Sequence, residues 1–196
     1  MIPKAFRLFC FLFFVAASSP SAFAQSNTEG ADGAKGATDD KRAPIIKETE
    51  SSWKRARKWT LDYIDAMPEN ATSFKPTPEI RSFAEQMLHL AFWNYAIAES
   101  LGGKANPYGK KQETLEQRDD VKTKAALRKV VEESYDNMLA AVAGLDEAKM
   151  LEQVSIFNSK TTRLTVLAYA LDHQSHHRGQ TTIYLRLKGL TPPPEP

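Results

Sequence analysis

The chain has 196 residues, of which 26 are basic and 24 are acidic. This length favours one domain with a sizeable hydrophobic core. A nucleic-acid-binding protein would carry a basic face, and the near balance of charges gives no support for a nucleic-acid partner.

Residues 1–24 have the pattern of a secretory signal peptide. Lys4 and Arg7 precede an apolar run over residues 8–17, and small residues follow as far as Ala24, after which we expect cleavage. The run is too short for a membrane-spanning helix, which needs roughly 20 apolar residues. The pattern therefore predicts an exported protein, periplasmic or secreted, with no stable membrane insertion after cleavage.

Loss of this peptide would change the composition of the mature protein. The peptide holds two basic residues and no acidic residue, so 24 residues of each sign would remain. The only cysteine, Cys10, lies in the apolar run. The mature protein would thus have no net formal charge, no disulfide and no cysteine that could ligate a metal.

Residues 25–44 predict a flexible, disordered linker. They are rich in Gly, Ala, Asp and Lys and lack any apolar periodicity. Such a segment cannot bury enough apolar surface to offset the entropy lost on ordering. The folded part of the chain is therefore expected to be one domain over residues 45–196.

Four segments of this domain have the three- and four-residue spacing of apolar side chains that indicates amphipathic helices. They cover approximately residues 53–67, 77–101, 120–143 and 162–188. Pro68 ends the first segment, and Thr77, Pro78 and Glu79 predict an N-cap, a first helical residue and a first-turn acid for the second. No segment shows a useful length of the two-residue alternation that is typical of strands. The sequence therefore predicts an all-α fold, a four-helix bundle whose topology is left open by two long connections.

Three of the four histidines lie close together in the fourth predicted helix. His173 and His177 are four residues apart, so they project from one helix face and could ligate a single ion. His89 lies in the apolar second helix. A single buried histidine is more often a hydrogen-bonded core residue, but three converging imidazoles need partners for their nitrogens. One divalent ion supplies those partners, which favours a metal site.

His176 leaves two choices for the ligand pair in the fourth helix. It lies three residues after His173, and that spacing also permits shared ligation. Side chains of adjacent helical residues diverge by about 100°, so His176 and His177 would not serve one ion together. We predict His177 as the ligand and His176 as a residue beside the ion or its pocket.

The sequence PTPEIRSFAEQMLH, which ends at His89, and the C-terminal sequence HQSHHRGQTTIYLRLKGLTPP together resemble the DinB superfamily, whose hallmark is H-x-x-x-H-R-G-Q. The similarity runs from about Trp53 to Pro194. It implies a four-helix bundle of DinB-like topology, often dimeric, with a three-histidine site for nickel, zinc or a similar divalent ion. By position, the implied ligands are His89, His173 and His177, and a homodimer is possible.

Five further residues are candidates for the surroundings of the ion or for a substrate pocket: His176, Gln180, Tyr184, Trp93 and Glu85. Gln180 and Tyr184 continue the helix face of the histidine pair, although interior packing would explain them as well. Glu85 lies one turn before His89 and could approach the ion. An acid on a solvated helix face is the alternative explanation for Glu85.

Residues next to the histidine pair bear on the class of reaction and on the packing of the helix. Gln174 stands where the H-E-x-x-H zinc peptidases carry their glutamate base, and an amide cannot accept the proton, so a peptidase of that type is not expected. Arg178 is expected to be a simple surface charge. Gly179, inside a helix, is expected to permit the close approach of another helix.

Three histidines would leave an ion with open coordination positions, as in catalytic sites. We therefore favour a metal-dependent hydrolase that acts on an unknown small molecule. The resemblance also implies a thiol-dependent S-transferase that uses a cofactor such as bacillithiol or mycothiol, and a binding protein without turnover is a third hypothesis. Three imidazoles suit zinc, nickel, copper and iron alike, and the resemblance implies that the single ion is zinc or nickel, with iron and copper as further possibilities.

Overall fold

A computed structural model describes residues 43–156 and 159–195. The predicted signal peptide and residues 25–42 of the predicted linker lie outside the described residues. Every long element of the described part is a helix, so the predicted helical core is confirmed. None of these helices combines the length and the apolar character that crossing a membrane requires.

Four long helices form most of the structure: α1 (Pro44–Ala66), α2 (Phe83–Ser100), α4 (Lys124–Ala143) and α6 (Arg163–Leu187). Helix α2 packs against α4 and α6, and α1 packs against the same two helices. The connections carry two short helices, α3 (Gln112–Glu116) and α5 (Glu147–Leu151), and 3-10 turns at Glu69–Ala71 and Asp119–Val121. The core between the long helices is apolar and closely packed.

A two-stranded antiparallel sheet contradicts the all-α prediction. Strand β1 (Gln153–Ile156) pairs with strand β2 (Ser159–Thr162). Each strand has only four residues and no fully buried side chain, so the two-residue alternation is too short to detect in the sequence. The sheet leads directly into α6, since Thr162 is both the last residue of β2 and the N-cap of the helix. As N-cap, its side chain accepts a hydrogen bond from the backbone N–H of Thr165 at 3.2 Å.

Helix α1 begins nine residues before the predicted start at Trp53, and its first residue is Pro44, which was assigned to the linker. Proline is favoured at the first helical position because its missing N–H would have no partner there. Ile46 and Trp53 are almost fully buried, so the added turns contribute to the core. The segment contains too few apolar residues for its periodicity to be recognised in the sequence.

Helix α2 begins later than predicted, because Ser82 and not Thr77 is its N-cap. The Ser82 hydroxyl accepts a hydrogen bond from the backbone N–H of Glu85 at 3.2 Å, and the Ser82 N–H donates to the Glu85 carboxylate at 2.8 Å. This reciprocal capping box satisfies two backbone groups at once and outweighs the favourable Thr-Pro-Glu pattern. Residues 77–81 instead form turns ahead of the helix.

Arg178 and Gly179 do not have the roles that their sequence positions suggest. Arg178 is only 2% exposed; its guanidinium pairs with the carboxylate of Glu195 at 3.1 Å and lies over the ring of Trp59. The prediction of a surface charge is therefore wrong. A Cβ atom added to Gly179 would meet no atom within 4 Å, so no neighbouring helix approaches this residue closely.

Candidate metal centre

The structure brings His89 of α2 together with His173 and His177 of α6. The Nε2 atom of His173 lies 3.3 Å from Nε2 of His89 and 3.1 Å from Nε2 of His177. One nitrogen from each ring lies within 4.8 Å of the other two. His89 and His177 are buried and His173 is half-buried, so this cluster lies in the interior between the two helices.

A carboxylate orients His89. Glu116, the last residue of α3, accepts a hydrogen bond at 2.7 Å from Nδ1 of His89. Because a carboxylate only accepts, Nδ1 carries the proton and Nε2 keeps its lone pair. Arg81 holds the carboxylate from its other side, with Nε 2.8 Å from Oε2 of Glu116. This is the arrangement of an outer carboxylate that fixes a metal-ligating histidine.

Glu116 remains ionised although it is 9% exposed. Burial acts to raise the pKa of its carboxyl group, but hydrogen bonds from His89 and Arg81 outweigh this effect and hold the pKa below its ordinary value. A carboxylate at this position fixes the tautomer and the ring orientation of a metal-ligating histidine.

An amide orients His177. Nδ1 of His177 donates a hydrogen bond to Oε1 of Gln86 at 2.7 Å. The Gln86 amide nitrogen donates to the hydroxyl of Tyr184 at 3.4 Å, and that hydroxyl donates to the backbone carbonyl of Arg81 at 2.6 Å. This directed chain fixes the amide orientation, so Nε2 of His177 also keeps a lone pair. Tyr184 therefore supports the site through Gln86.

His173 has an unsatisfied nitrogen. Its Nδ1 is buried and has no hydrogen-bond partner within the described residues. If the proton of the His173 ring is on Nδ1, the Nε2 lone pairs of all three histidines face one another without a donor. If the proton is on Nε2, it can satisfy the lone pair of His89 or of His177 but not both, and Nδ1 of His173 is then an acceptor without a donor. Either tautomer leaves a buried polar atom without a partner, which costs roughly 1–3 kcal/mol. A cation among the three nitrogens would remove this cost.

His173 and His177 are held in the neutral form. Burial, followed by the charges of the neighbouring histidines, lowers the pKa of His173 to about 4 and that of His177 to about 3. Neutral imidazole is the form that ligates a metal. The site is therefore ready to ligate an ion at neutral pH without first losing protons from these two rings.

The spacing of the nitrogens fits a small divalent cation. Two imidazole nitrogens that ligate one zinc ion tetrahedrally lie about 3.3 Å apart, given a Zn–N distance of about 2.0–2.1 Å. The separations of Nε2 of His173 from Nε2 of His177 and of His89, 3.1 and 3.3 Å, are close to this value. Three nitrogen donors without a thiolate or carboxylate suit zinc, nickel, copper and iron, so the donor set does not select one metal.

Trp93 lies against the three-histidine cluster, whereas His176 and Gln180 do not enter it. The Trp93 ring meets His89 edge-on, with centroids 6.4 Å apart. His176 is exposed, and its Nε2 lies 3.0 Å from the amide nitrogen of Gln180. These two side chains therefore pair with each other on the outer face of α6.

Glu85 is held away from the role of a metal ligand or base. Besides capping α2, its carboxylate pairs with Lys75 at 3.0 Å and with Lys122 at 3.6 Å. Burial acts to raise its pKa, but the backbone hydrogen bond from Ser82 and the two lysines outweigh it and lower the pKa. The structure thus gives Glu85 a role in helix capping and surface charge pairing.

Gln174 has a structural role. Its side chain is 1% exposed, its carbonyl accepts a hydrogen bond from the hydroxyl of Tyr135 at 2.8 Å, and its amide donates to Asn94 at 2.9 Å. An amide offers both a donor and an acceptor to these partners, which an ionised glutamate could not do. This pairing accounts for an amide at the position that carries the base in the zinc peptidases.

Glu116, Gln86 and Arg81 were not identified from the sequence. Glu116 lies in a connection whose fold the periodicity did not predict, and nothing local links it to His89. One feature of the sequence could have indicated Gln86: it is a polar residue three positions before His89 in a mostly apolar helix. Arg81 joins both orienting chains, through its side chain and through its backbone carbonyl.

A pocket of about 360 Å³ opens beside the cluster. Its lining combines the two histidines that face it with one amide and six mostly apolar side chains: His89, His173, Gln112, Trp93, Ile97, Ile156, Val166, Tyr169 and Ala170. A mostly apolar pocket with a few polar groups at one side is the usual form of a small-molecule site. The nitrogens of the cluster are therefore within reach of a ligand that enters from this side.

The chain is similar in sequence and in fold to known proteins. The sequence model described as the DinB family matches residues 41–195. The chain is 27% identical over 143 residues to the uncharacterized protein YjoA of Bacillus subtilis (strain 168), covering 69% of this chain and 85% of that protein.

Solved structures agree with this match at the level of the fold. A DinB-like protein from Bacillus cereus ATCC 10987 has a TM-score of 0.65 and 18% identity, and covers 76% of this chain and 96% of its own. The structure of YjoA from Bacillus subtilis has a TM-score of 0.59 and 22% identity, with 75% and 95% covered. A conserved protein from Enterococcus faecalis has a TM-score of 0.57 and 15% identity, with 74% and 97% covered. Similarity at these identities shows the fold and carries no information on activity.

Proposed function

This chain belongs to the DinB family, and from that premise we propose that it holds one divalent metal ion with His89, His173 and His177 and hydrolyses a small molecule. The observation that carries the proposal is the convergence of three imidazoles, in which Nε2 of His173 lies 3.1 Å and 3.3 Å from the Nε2 atoms of His177 and His89, whose lone pairs are fixed by partners at Nδ1. When bound, such an ion supplies Lewis acidity, which can polarise a carbonyl group or acidify a water molecule.

The protein's own residues support this chemistry in separate ways. Glu116 and Gln86 hold the His89 and His177 rings in place, so little reorganisation is needed when an ion binds. The pocket beside the cluster gives one side of the site mostly apolar walls, from which a bound ligand would displace water. A water-poor site strengthens electrostatic interactions with a polarised substrate group.

The pocket favours hydrolysis over the thiol-dependent transfer that is known among relatives in the superfamily. Bacillithiol and mycothiol are polar sugar-containing thiols, and their binding would require several hydrogen-bonding or charged side chains. Besides the histidines, the described lining of the pocket offers one amide, the Tyr169 hydroxyl at the rim and the Trp93 indole N–H, and no charged side chain. A binding protein without turnover would share the metal site, so turnover itself must be measured.

Metal analysis tests the ion-binding part of the proposal. We expect the untagged protein to retain about one divalent ion per chain after dialysis, and the His89→Ala/His177→Ala double variant to retain almost none. The matched control is His176→Ala, which removes an exposed histidine from the same helix and should keep the ion. Equal metal content in the wild type and the double variant would refute the proposed site.

Turnover of a panel of esters, amides and lactones tests the hydrolase part. Activity should disappear on chelation, return when metal is added, and be absent from the His173→Ala variant while remaining in His176→Ala. No added thiol should be needed. An absolute requirement for a low-molecular-weight thiol would instead indicate a transferase, and metal binding without turnover would indicate a binding protein.

We also propose that residues 1–24 direct export. The basic start, the apolar run and the small residues that end at Ala24 support this proposal. Mass spectrometry of the protein recovered from the periplasm or the medium should give an N-terminus at Gln25. Recovery of the intact chain from the cytoplasm alone would contradict the proposal.

A further inference from the structure

The pocket beside the three histidines is built from four elements of the fold, one of which is helix α3, which contributes Gln112. Helix α2 contributes Trp93 and Ile97, helix α6 contributes Val166 and Tyr169, and Ile156 comes from strand β1. Val166 is 1% exposed and Ile97 is 7% exposed, so the deep part of the pocket is a fixed apolar wall. Tyr169 is 65% exposed and therefore stands at the rim.

The pocket has a polar side and an apolar side, and it lacks charge. His89 and His173 lie at one side, and the other polar groups among the described lining residues are the Gln112 amide, the Tyr169 hydroxyl and the Trp93 indole N–H. Within residues 43–156 and 159–195, no Asp, Glu, Lys or Arg side chain lines the pocket. The nearby carboxylate of Glu116 is already paired with His89 and Arg81 and is not available to a ligand.

We propose that the ligand of this pocket is an uncharged, largely apolar small molecule that carries one oxygen-bearing group at its end, such as a medium-chain or aromatic ester, amide or lactone. This inference rests on the proposed function and deepens it by naming the class of substrate. The oxygen-bearing group meets the histidine side of the pocket, and the apolar body contacts Trp93, Ile97 and Val166.

Size and desolvation support this choice of ligand. A volume of about 360 Å³ lies near the lower end of the ~300–1,000 Å³ range of small-molecule sites, which excludes peptides and long lipids from full burial. A charged body would lose its hydration in this pocket without gaining an oppositely charged partner, and a sugar-like body would find fewer hydrogen-bond partners than it has hydroxyl groups; burial of unpaired polar groups is unfavourable. An apolar body has no such penalty and gains about fourfold in affinity for each buried methylene group.

Calorimetric titration of the zinc-loaded protein with hydroxamic acids tests the inference without relying on turnover, because the hydroxamate group is constant and binds metal. We expect octanohydroxamate to bind roughly a hundredfold or more tightly than acetohydroxamate. A hydroxamate of the same length with a terminal carboxylate should bind much more weakly than octanohydroxamate. Equal affinities across the three compounds, or tightest binding of the carboxylate compound, would overturn the inference.

Two variants on helix α6 test whether the apolar chain of octanohydroxamate binds in the pocket. Tyr169→Asp places a short charged side chain at the rim and should weaken octanohydroxamate at least tenfold, while acetohydroxamate changes little. Ile183→Asp is the matched control, since Ile183 is 53% exposed on the same helix and does not line the pocket. Equal effects of the two variants on octanohydroxamate would contradict the assignment.

The two proposals fail in different ways in this experiment. If acetohydroxamate binds and longer chains add nothing, the metal site stands and the assignment of the pocket is wrong. If no hydroxamate binds and metal analysis finds no retained ion, the metal centre itself is refuted, and the pocket inference falls with it.

Discussion

At the scale of single residues, the orientations of His89 and His177 depend on neighbours that are distant in sequence. His89 and Glu116 are 27 positions apart, and His177 and Gln86 are 91 positions apart. Helical spacing alone could bring His173 and His177 to one face, and the apolar surroundings of His89 could indicate its burial. The partners at Nδ1 could not be predicted, because they depend on how the connections fold back onto the long helices.

Glu116→Gln should weaken metal binding while the fold is retained. The amide keeps the shape of the side chain. It removes the negative charge that pairs with Arg81 and that accepts the hydrogen bond from Nδ1 of His89. Loss of such an outer carboxylate typically lowers metal affinity by about 10–100-fold. Competition with a chromophoric chelator measures the change.

Glu113→Gln is the control for this variant, because Glu113 is an exposed carboxylate in the same short helix. It should leave metal affinity unchanged. An affinity of Glu116→Gln within twofold of the wild type would show that the carboxylate does not support the site.

At the scale of elements, the sequence predicts helices better than it predicts their ends. The fourth predicted helix, residues 162–188, matches Arg163–Leu187 closely, because Thr162 is a strong N-cap and Gly189 has φ +74° just after the helix. The second helix was placed too early because two N-cap patterns lie five residues apart, and only the reciprocal bonds of Ser82 decide between them. The short strands β1 and β2 lie below the length at which periodicity is informative.

Gly179→Ala should stabilise the protein. Gly179 lies inside α6, and an added Cβ atom would meet nothing within 4 Å. Alanine is favoured over glycine in a helix interior by about 0.5–1 kcal/mol, chiefly through the entropy of the unfolded chain. Urea denaturation should therefore show a higher free energy of unfolding by that amount.

The contrasting variant is Gly102→Ala, which should destabilise the protein. Gly102 has φ +93°, a conformation that costs an L-residue about 1–2 kcal/mol. If Gly179→Ala also destabilised the protein, the glycine would have a role that the structure does not explain.

At the scale of the whole molecule, the stability of the metal-free protein should fall with acidification. His173 and His177 bind protons with a pKa of about 4 and about 3 in the folded protein, against about 6.5 in the unfolded chain. Between these values the unfolded chain binds more protons, so the free energy of unfolding is highest above pH 6.5 and decreases as pH falls towards 4. Urea midpoints at pH 7.5 and pH 5 measure the effect.

The double variant His173→Gln/His177→Gln isolates the contribution of these two rings. Its urea midpoint should change less between pH 7.5 and pH 5 than that of the wild type, whereas His176→Ala should behave like the wild type. With metal present, protons also compete for the imidazoles, so bound ion should be released over the same interval. An unchanged metal content at pH 4 would contradict neutral imidazole ligation.

The three-histidine cluster also bears on how the chain is held together. The described residues contain no cysteine, and His89 and His173 are 84 positions apart. An ion shared by these side chains would act as a reversible cross-link between α2 and α6, closing a loop much as a disulfide does. Mass action would then make the melting temperature rise with the concentration of free metal. The concentration of available metal would then determine the thermal stability of the fold as well as the occupancy of the site.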